Sequence, residues 1–311
     1  MNILLTGATG FLGQTLSKEL SSDSSLNISF AGRKKPDIPA CIFHQISLES
    51  LPCNNRYLAG VDVVIHAAAR VHVMKDNVSD PLSEFRVVNT YGTLKLAEHA
   101  AKSGVKRFIF ISTIKVNGES TTGTKPFTIV DKQAPEDPYG VSKAEAEQQL
   151  LELGKQTGME IVIIRPPLVY GEGVKANFAS LMKLVGKGLP LPFRLITKNK
   201  RSLVSVYNLV DLIKVCIDHP NAANQVFLAS DDHDLSTAEM VALMAKVKGK
   251  PNLAIPVPLW CFKLAGSLLG KQAVIDRLTG SLQLDITHTK NTLNWAPPYS
   301  VEDGFKLAAK N

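Results

Sequence analysis

The sequence predicts an α/β fold built on a doubly wound parallel sheet. Short apolar runs alternate with amphipathic helical stretches through the first half of the chain. The runs are apolar at almost every position, as expected of strands that are covered on both faces. A glycine-rich turn at residues 7–13 joins the first run to the first helical stretch, in the strand–turn–helix order of such a sheet.

The elements follow one another regularly up to Arg165. We expect strands at residues 2–5, 28–31, 61–66, 107–111 and 160–164, and helices at residues 11–19, 85–102 and 138–157. Prolines and glycines become frequent after Arg165, and the alternation weakens. We therefore predict a first domain over residues 1–170 and a smaller lobe over residues 171–311. Two apolar segments within 202–230, at 204–206 and 226–228, are predicted to return to the main sheet or its edge.

Composition bounds the class of protein. The chain has 311 residues, of which 45% are hydrophobic and 20% charged, enough for one large domain or two unequal lobes with a full core. It contains no run of 18 apolar residues, and its start lacks the basic and apolar regions of a signal peptide. We expect a cytoplasmic protein without stable membrane insertion.

The cysteines and the charge exclude further classes. The four cysteines form no C-x-x-C pair, so reduced thiols are expected and no metal site is predicted. The formal charge is +7, but its one dense cluster, at residues 198–201, has no interleaved aromatic residues. Nucleic-acid binding is therefore not predicted. An anionic substrate or a solvated basic surface explains the excess of basic over acidic residues.

The turn after the first strand has the spacing of a phosphate-binding loop. Glycines at positions 7, 10 and 13 permit a tight turn, and they let backbone N–H groups approach a pyrophosphate at the helix N-terminus. The alternative is a glycine-rich turn without a ligand. The candidate cofactor residues here are Gly7, Thr9, Gly10, Phe11, Leu12 and Gly13.

The end of the second strand carries no carboxylate. An acidic residue usually stands there in an NAD site, where it binds the adenosine ribose. This chain has Arg33, followed by Lys34, and a guanidinium can pair with a 2′-phosphate. The pattern favours NADP(H), with NAD(H) as the other possibility and an exposed basic loop as the alternative without a ligand.

A tyrosine–lysine pair begins the third predicted helix. Tyr139 and Lys143 stand at i and i+4, on one helix face. A neighbouring ammonium, together with an oxidised nicotinamide, lowers the pKa of a phenol, which can then exchange a proton with a substrate hydroxyl. Thr113 follows the strand at 107–111 and can offer a hydroxyl to the same substrate oxygen. Alone, Thr113 would be interpreted as a turn residue.

Taken together, these motifs resemble those of the extended short-chain dehydrogenase/reductases, particularly the sugar-nucleotide epimerase/dehydratase group. The matching pieces occur in order along almost the whole chain: Gly7-Ala8-Thr9-Gly10-Phe11-Leu12-Gly13, His66-Ala67-Ala68-Ala69, Asn89-Thr90-Tyr91-Gly92-Thr93, Ser112-Thr113, Tyr139 with Lys143, Arg165-Pro166-Pro167-Leu168-Val169-Tyr170-Gly171 and Leu293-Asn294-Trp295-Ala296-Pro297. The resemblance implies a Rossmann-type NAD(P)-binding domain, a substrate lobe and a homodimer.

The resemblance also implies residue roles. Thr113, Tyr139 and Lys143 would be catalytic, and Asn177, Arg201 and Arg277 would bind the nucleotide diphosphate of a UDP-sugar. For the two arginines, a surface salt bridge is the alternative. Cofactor contacts are implied, beyond the glycine loop and Arg33, for Ala67, Ala68, Ala69, Asn89, Ser112, Tyr139, Lys143, Pro166 and Val169.

The residues after Thr113 favour some reactions over others. Dehydratases of this group resemble one another in having Asp-Glu there, decarboxylases have Glu at the position of Lys115, and reductases that also epimerise have Cys. Because Lys115 matches none of these, two reactions remain: reduction of a UDP-4-keto-6-deoxy-HexNAc, and 4-epimerisation of UDP-glucose or UDP-N-acetylglucosamine with retained NAD. Arg33 favours the reductase, and the stretch 69–76 resembles enzymes of bacterial surface-polysaccharide (O-antigen) synthesis.

Two further alternatives stay open. A non-catalytic NADP-binding protein is disfavoured by the intact Tyr139 and Lys143. An epimerase that acts on a polyprenyl-linked sugar at the membrane is permitted by the basic charge and by the apolar stretch 260–269. A packed helix of the second lobe explains that stretch as well.

Overall fold

A computed structural model of the chain describes residues 1–71, 80–174 and 176–310, with the side chains of residues 176 and 177 left out. Nine strands alternate with helices in the described part. The strands are β1 (Asn2–Thr6), β2 (Asn27–Gly32), β3 (Ile42–Gln45), β4 (Val63–His66), β5 (Arg107–Ile111), β6 (Glu160–Arg165), β7 (Leu168–Tyr170), β8 (Leu203–Ser205) and β9 (Gln225–Leu228).

The helices lie on both sides of these strands. They are α1 (Phe11–Ser21), α2 (Pro81–Phe85), α3 (Thr93–Lys102), α4 (Pro138–Thr157), α5 (Ala176–Gly186), α6 (Val206–Asp218), α7 (Thr237–Val247), α8 (Leu259–Leu268), α9 (Gln272–Thr279), α10 (Thr287–Leu293) and α11 (Val301–Ala308). A π-helical stretch, Arg86–Gly92, joins α2 to α3, and a short 3₁₀ helix, Ile114–Val116, follows β5.

Seven strands form one parallel sheet in the order β3-β2-β1-β4-β5-β6-β9. Each pair runs parallel, with Thr6 opposite both Ala31 and His66. The strand order reverses between β1 and β4, so the carboxyl ends of these two strands border a crevice where ligands bind in open α/β sheets. This topology confirms the predicted doubly wound α/β fold.

Two apolar layers cover the sheet. One lies beneath α1 and α6 and includes Leu16, Leu212 and Ile213, all without exposed surface. The other lies beneath α3 and α4 and includes Leu96 and Leu150, which are also fully buried. Because both faces are covered, the central strands are apolar at successive positions, as the sequence pattern predicts.

The second half of the chain forms a separate apolar cluster. Tyr170, at the end of β7, is fully buried and packs edge-on against Phe305 with a centroid distance of 4.8 Å. Its hydroxyl donates to Asp231 Oδ2 at 2.7 Å. Strands β7 and β8 pair with each other in a small parallel sheet. The placement of a domain boundary near residue 170 stays a prediction.

Several predicted elements differ in detail. Strand β3 was absent from the expectations because its side chains are partly exposed and alternate weakly. The segment predicted as one helix over 85–102 is interrupted by the π-helical stretch, where Gly92 lies so close to Leu48 that a Cβ would come within 2.6 Å of the Leu48 carbonyl oxygen. Of the two segments predicted to return to the sheet, 226–228 lies in β9 of the main sheet, whereas 204–206 begins in β8 of the small one.

No helix in the described ranges combines the length and apolar character needed to cross a bilayer. The longest, α4, has 20 residues but carries charged side chains on its exposed face. The apolar stretch 260–269 falls mainly in the ten-residue helix α8.

Candidate active site

The glycine loop has the backbone of a phosphate cradle. Gly7 has a φ of +80°, and a Cβ there would lie 2.5 Å from the Ala68 nitrogen. Gly10 closes the turn by donating its N–H to the Gly7 carbonyl at 2.9 Å. A Cβ on Gly13 would collide with the same carbonyl. The chain thus brings two backbone segments together at a point where side chains cannot fit.

Helix α1 begins directly after this turn. Its N-cap is Gly10, and no described side chain caps its first N–H groups. Free N–H groups at a helix N-terminus, with the positive end of the helix dipole, bind a phosphate group. Phe11 and Leu12 follow in the first turn; both are partly buried, and Leu12 packs on the core under the sheet.

A cavity of about 790 Å³ opens at the carboxyl ends of β1, β2 and β4. Its walls include eight residues predicted to bind a cofactor: Gly7, Thr9, Gly10, Arg33, Lys34, Ala67, Ala68 and Ala69. Its volume suits a cofactor-sized molecule. Arg33 and Lys34 are exposed at its edge, and so the predicted basic residues do border the cavity.

Sequence reasoning missed one wall of this cavity. Residues 46–49, which follow β3, line it together with Val88 of the π-helical stretch. Since β3 itself was not predicted, nothing in the pattern pointed to the loop behind it. The cavity, the glycine turn without side chains and the uncapped N-terminus of α1 all fit a dinucleotide.

His66 has a structural role beside the cavity. Its ring is fully buried between the hydroxyl groups of Thr6, at 2.7 Å, and Thr93, at 2.9 Å. Burial, reinforced by the Lys143 ammonium, lowers the pKa of His66 to about 3. The ring is therefore neutral at physiological pH and ties β1 and β4 to α3.

The predicted catalytic residues lie at the end of β5 and the start of α4. Asp137 caps α4 by accepting the Gly140 N–H at 2.6 Å. The helix start packs on the turn after β5, since a Cβ on Gly140 would lie 3.0 Å from the Lys115 carbonyl. Tyr139, in the first turn of α4, therefore borders the turn that carries Thr113.

Lys143 is buried against the carboxyl end of β5. Its ammonium donates to the Ile111 carbonyl at 2.8 Å and lies 4.1 Å from the centre of the Phe110 ring. Only 1% of the residue is exposed. Burial lowers the pKa of Lys143 to about 7, while the negative charge of Glu147 raises it. Lys143 can therefore change protonation near neutral pH.

The Tyr139 phenol is partly buried against Phe85, with a centroid distance of 6.0 Å. No described residue hydrogen-bonds its oxygen. The protein's own groups act against the predicted lowering of the Tyr139 pKa: burial and the Asp137 carboxylate both raise it. Lowering it would require the positive charge of an oxidised nicotinamide, which was part of the prediction.

Thr113 is buried at the N-cap of the 3₁₀ helix. Its Oγ1 accepts the Lys115 N–H at 3.3 Å. No acceptor among the described residues takes its hydroxyl proton, and the Thr113 hydroxyl can therefore donate to a substrate oxygen.

A buried ion pair lies one helical turn beyond Lys143. Arg165 binds Glu147 with both Nε, at 3.0 Å, and Nη2, at 2.5 Å. Glu147 has no exposed surface and Arg165 is 4% exposed. The Glu147 carboxylate also accepts from Ser112 and from Gln133. The predicted cofactor residue Ser112 thus has its hydroxyl engaged in this network, whose Glu147–Arg165 ion pair the sequence analysis did not predict.

The remaining predicted cofactor residues lie around this centre. The Asn89 side chain exchanges hydrogen bonds with the backbone of Arg70 and donates to Ser142 Oγ at 3.1 Å. It thereby joins the loop after β4 to helix α4. The Pro166 carbonyl accepts the Ile114 N–H at 2.9 Å. Val169, in β7, is partly buried on the core.

Lys115 is neutralised locally. Its ammonium contacts Asp137, the N-cap of α4, and Glu119 at 2.8 Å. A lysine here therefore strengthens the helix start that carries Tyr139. Lys115 occupies the position where the resemblance places a Glu or Cys in other reactions, so neither chemistry is available at this position.

Two of the three predicted diphosphate residues lie together. Arg201 donates to the Arg277 carbonyl at 3.0 Å, and burial together with the nearby Arg277 guanidinium lowers the pKa of Arg201. Arg277 is 56% exposed and pairs with Glu119 at 3.6 Å. The side chain of Asn177, and residues 72–76 of the stretch 69–76, lie outside the described part. Within the described ranges no three His, Cys, Asp or Glu side chains form a metal site.

Comparison with known proteins places the chain in a family. Residues 3–229 match the model of the "NAD dependent epimerase/dehydratase family". A Vibrio cholerae protein named UDP-glucose 4-epimerase is 56% identical over 312 residues, covering 99% of this chain and 94% of the relative. An Escherichia coli O157:H7 protein named N-acetyl-alpha-D-glucosaminyl-diphospho-ditrans,octacis-undecaprenol 4-epimerase is 28% identical and covers 98% and 93%.

Solved structures agree on the fold. The UDP-N-acetylglucosamine 4-epimerase of Bacillus cereus superposes with a TM-score of 0.81 at 19% identity, covering 99% of this chain and 98% of that one. The UDP-glucuronic acid 4-epimerase of Bacillus cereus in complex with NAD gives 0.79 at 21% identity, covering 99% and 97%. The chain therefore belongs to the NAD dependent epimerase/dehydratase family and is an enzyme of the extended short-chain dehydrogenase/reductase type.

Proposed function

We propose that the chain is a UDP-sugar 4-epimerase. The observation that carries this proposal is the 56% identity, along 99% of the chain, to a relative named UDP-glucose 4-epimerase. Helix α4, which carries Tyr139 and Lys143, is joined through Asn89 to Arg70 of the cavity wall, and this link supports the proposal. Of the two reactions that the sequence left open, 4-epimerisation is thus better supported than reduction.

The proposed chemistry uses a proton transfer at one atom. Bound nicotinamide supplies a group that accepts and returns a hydride. Tyr139 Oη takes the proton of the C4 hydroxyl and later returns it, while the Thr113 hydroxyl donates a hydrogen bond to the same oxygen. Lys143, held by the Ile111 carbonyl, lies on the helix face that carries Tyr139 and supplies a positive charge there when it is protonated. Arg201 and Arg277 would bind the diphosphate of the substrate.

Reduction of a UDP-4-keto-6-deoxy-HexNAc is retained as a second candidate on one observation. Arg33 and Lys34 border the cofactor cavity, and no carboxylate ends β2. This arrangement favours NADP(H), which a reductase would use once and release. The family description and the complex of the structural relative name NAD instead.

Cofactor release separates the two candidates. The purified protein is denatured, and the cofactor that comes free is identified and counted. One NAD(H) per chain, with interconversion of a UDP-sugar and its C4 epimer, is the result we expect. A protein that carries no cofactor and consumes NADPH with a UDP-4-keto-6-deoxy sugar would replace the epimerase by the reductase.

The proposed contact between Arg33 and a 2′-phosphate can be tested separately. We expect Arg33→Ser to weaken NADPH binding by about tenfold and to leave NADH binding nearly unchanged, because only the 2′-phosphate loses a charged hydrogen bond. Binding is measured by titration of cofactor fluorescence. Lys35→Ser is the matched control, since Lys35 is exposed but does not line the cavity. Equal losses for both cofactors would contradict a 2′-phosphate contact.

The assembly, domain and pathway proposals rest on the resemblance. We propose a homodimer formed by the helical surface of 85–102 and 138–157, a cofactor domain over 1–170, and a role in surface-polysaccharide synthesis. Val87 and Tyr91, on the π-helical stretch, are 39% and 59% exposed and offer apolar contact area there. Light scattering on the eluted protein measures the mass.

A further inference from the structure

The exposed apolar side chains are concentrated on one part of the second lobe. Among the residues that the structure describes, nineteen large hydrophobic side chains are exposed, and eleven of them come from two segments, 183–198 and 248–275. The segments lie against each other: Ile255 donates its N–H to the Leu191 carbonyl at 2.8 Å, and Phe193 stacks on Phe262. We call their combined exposed surface the basic apolar face. Such a concentration marks an interaction site.

Helix α8 forms the centre of this face. Trp260, Leu264 and Leu268 follow one another at i+4 and form a stripe, with exposures of 66%, 53% and 76%. Phe262 and Gly266 face the protein on the other side and are buried. A Cβ on Gly266 would lie 2.8 Å from Ile275, so α8 packs tightly on α9. The outward stripe is therefore presented on a helix fixed by its buried side.

The charge of the chain is concentrated on the same face. The two segments contain eight Lys and Arg and no Asp or Glu, which leaves 27 basic and 28 acidic residues in the rest of the chain. The two segments that contribute this face thus account for the whole excess of +7. Seven of their eight cations are exposed, and Lys248 is half-buried. Lys263 and Lys271, beside the α8 stripe, are exposed. Their long side chains can reach headgroups while the leucines lie deeper.

The charge pattern decides between two occupants. A second copy docked through this face about a twofold axis would bring the seven exposed cations of one copy against those of the other, and the two segments contain no carboxylate to pair them. An anionic bilayer supplies both an apolar layer and negative headgroups. A tryptophan beside leucines and lysines suits the boundary between the two.

We propose that the basic apolar face binds the surface of an anionic lipid bilayer, with α8 lying in the plane of the interface. Arg277 lies on α9, which packs on α8, so this docking brings a candidate diphosphate-binding residue near the bilayer. The proposal concerns binding to the surface and needs no spanning helix. It does not depend on the reaction proposed above, because vesicle binding is measured without substrate.

The test is co-sedimentation of the full-length protein with vesicles of phosphatidylglycerol and phosphatidylcholine, and with phosphatidylcholine alone. We expect binding to the anionic vesicles only, lost at high salt. The double variant Leu264→Ser/Leu268→Ser and the double variant Lys263→Glu/Lys271→Glu are each expected to bind at least about tenfold more weakly. Both pairs are exposed, so the fold is retained.

Two matched variants serve as controls. Val130→Ser removes a side chain that is 85% exposed elsewhere, and Lys155→Glu reverses a charge that is 78% exposed on α4. Both are expected to bind like the unchanged protein. Trp260 also reports binding by a blue shift of its emission, since Trp295 is buried and donates to Asp211 at 2.8 Å; the Trp260→Phe variant should lose the shift.

Three results would overturn the proposal. One is the absence of binding to anionic vesicles. Another is equal loss of binding in the control variants. The third is concentration-dependent association without lipid that Leu264→Ser/Leu268→Ser abolishes, which would assign the face to protein contact.

Discussion

Replacing Tyr139 by phenylalanine is expected to lower kcat by about 100- to 10,000-fold, the range that general acid–base catalysis contributes. The substitution removes only the phenol oxygen. No described residue forms a hydrogen bond with that oxygen. The ring can keep its contact with Phe85 at 6.0 Å. Stability and cofactor binding should therefore change little, while the proton transfer at C4 loses its group.

The measurement is steady-state kinetics with a UDP-sugar, together with cofactor content and urea unfolding. Tyr91→Phe is the matched control: Tyr91 is 59% exposed and lies on the π-helical stretch, so its variant should keep full activity. Tyr139→Phe with more than about a tenth of the original kcat would show that another group moves the proton.

The pH dependence distinguishes this role from a structural one. Burial and Asp137 raise the pKa of Tyr139 above that of a free phenol, so a step that needs the phenolate gains rate as the pH rises toward that pKa. In Tyr139→Phe this rising limb should be absent from the residual rate. A residual rate with the same rising limb would assign the limb to a different group.

The sequence predicts the parts of the site that depend on residues close together in the chain, and it misses parts that depend on distant residues. The glycine loop is local: spacing and position alone indicate the strand–turn–helix that Gly7, with its φ of +80°, confirms. The Tyr139–Lys143 pair is also local to one helix. In contrast, the cavity wall at 46–49 depends on β3, whose half-exposed side chains lack a clear period.

The Glu147–Arg165 pair was missed for a related reason. The two residues are far apart in the sequence and meet only because α4 packs on β6. A glutamate inside an amphipathic helix usually faces solvent, and a single sequence cannot show that this one is buried. One signal was present: Glu147 follows Lys143 at i+4, so it lies on the helix face that carries the catalytic pair.

Glu147→Gln is expected to destabilise the protein by about 3–5 kcal/mol, because it leaves the guanidinium of Arg165 charged and buried without a counter-ion. Glutamine keeps the shape of the side chain, so the loss reports charge more than packing. The free energy of unfolding is measured by urea denaturation. Glu145→Gln is the matched control on the same helix: the Arg86–Glu145 pair has the same geometry but is 36% and 29% exposed, and such surface pairs contribute about 0.2–1 kcal/mol.

The same variant tests the electrostatic link to Lys143. Glu147 raises the pKa of Lys143, which burial has lowered from 10.5 to about 7; without that negative charge the pKa should fall further. Between the folded and unfolded pKa values the unfolded chain binds more protons at this lysine, so stability increases as the pH rises through that range. In Glu147→Gln the pH range over which stability increases should begin at a lower pH.

Activity that depends on a charged Lys143 is lost as the pH rises through the pKa of this lysine. In Glu147→Gln this loss should therefore occur at a lower pH, whereas Glu145→Gln should keep the original dependence of activity on pH. An unchanged profile in Glu147→Gln, with stability reduced, would show that the pair supports the fold without setting the charge of Lys143.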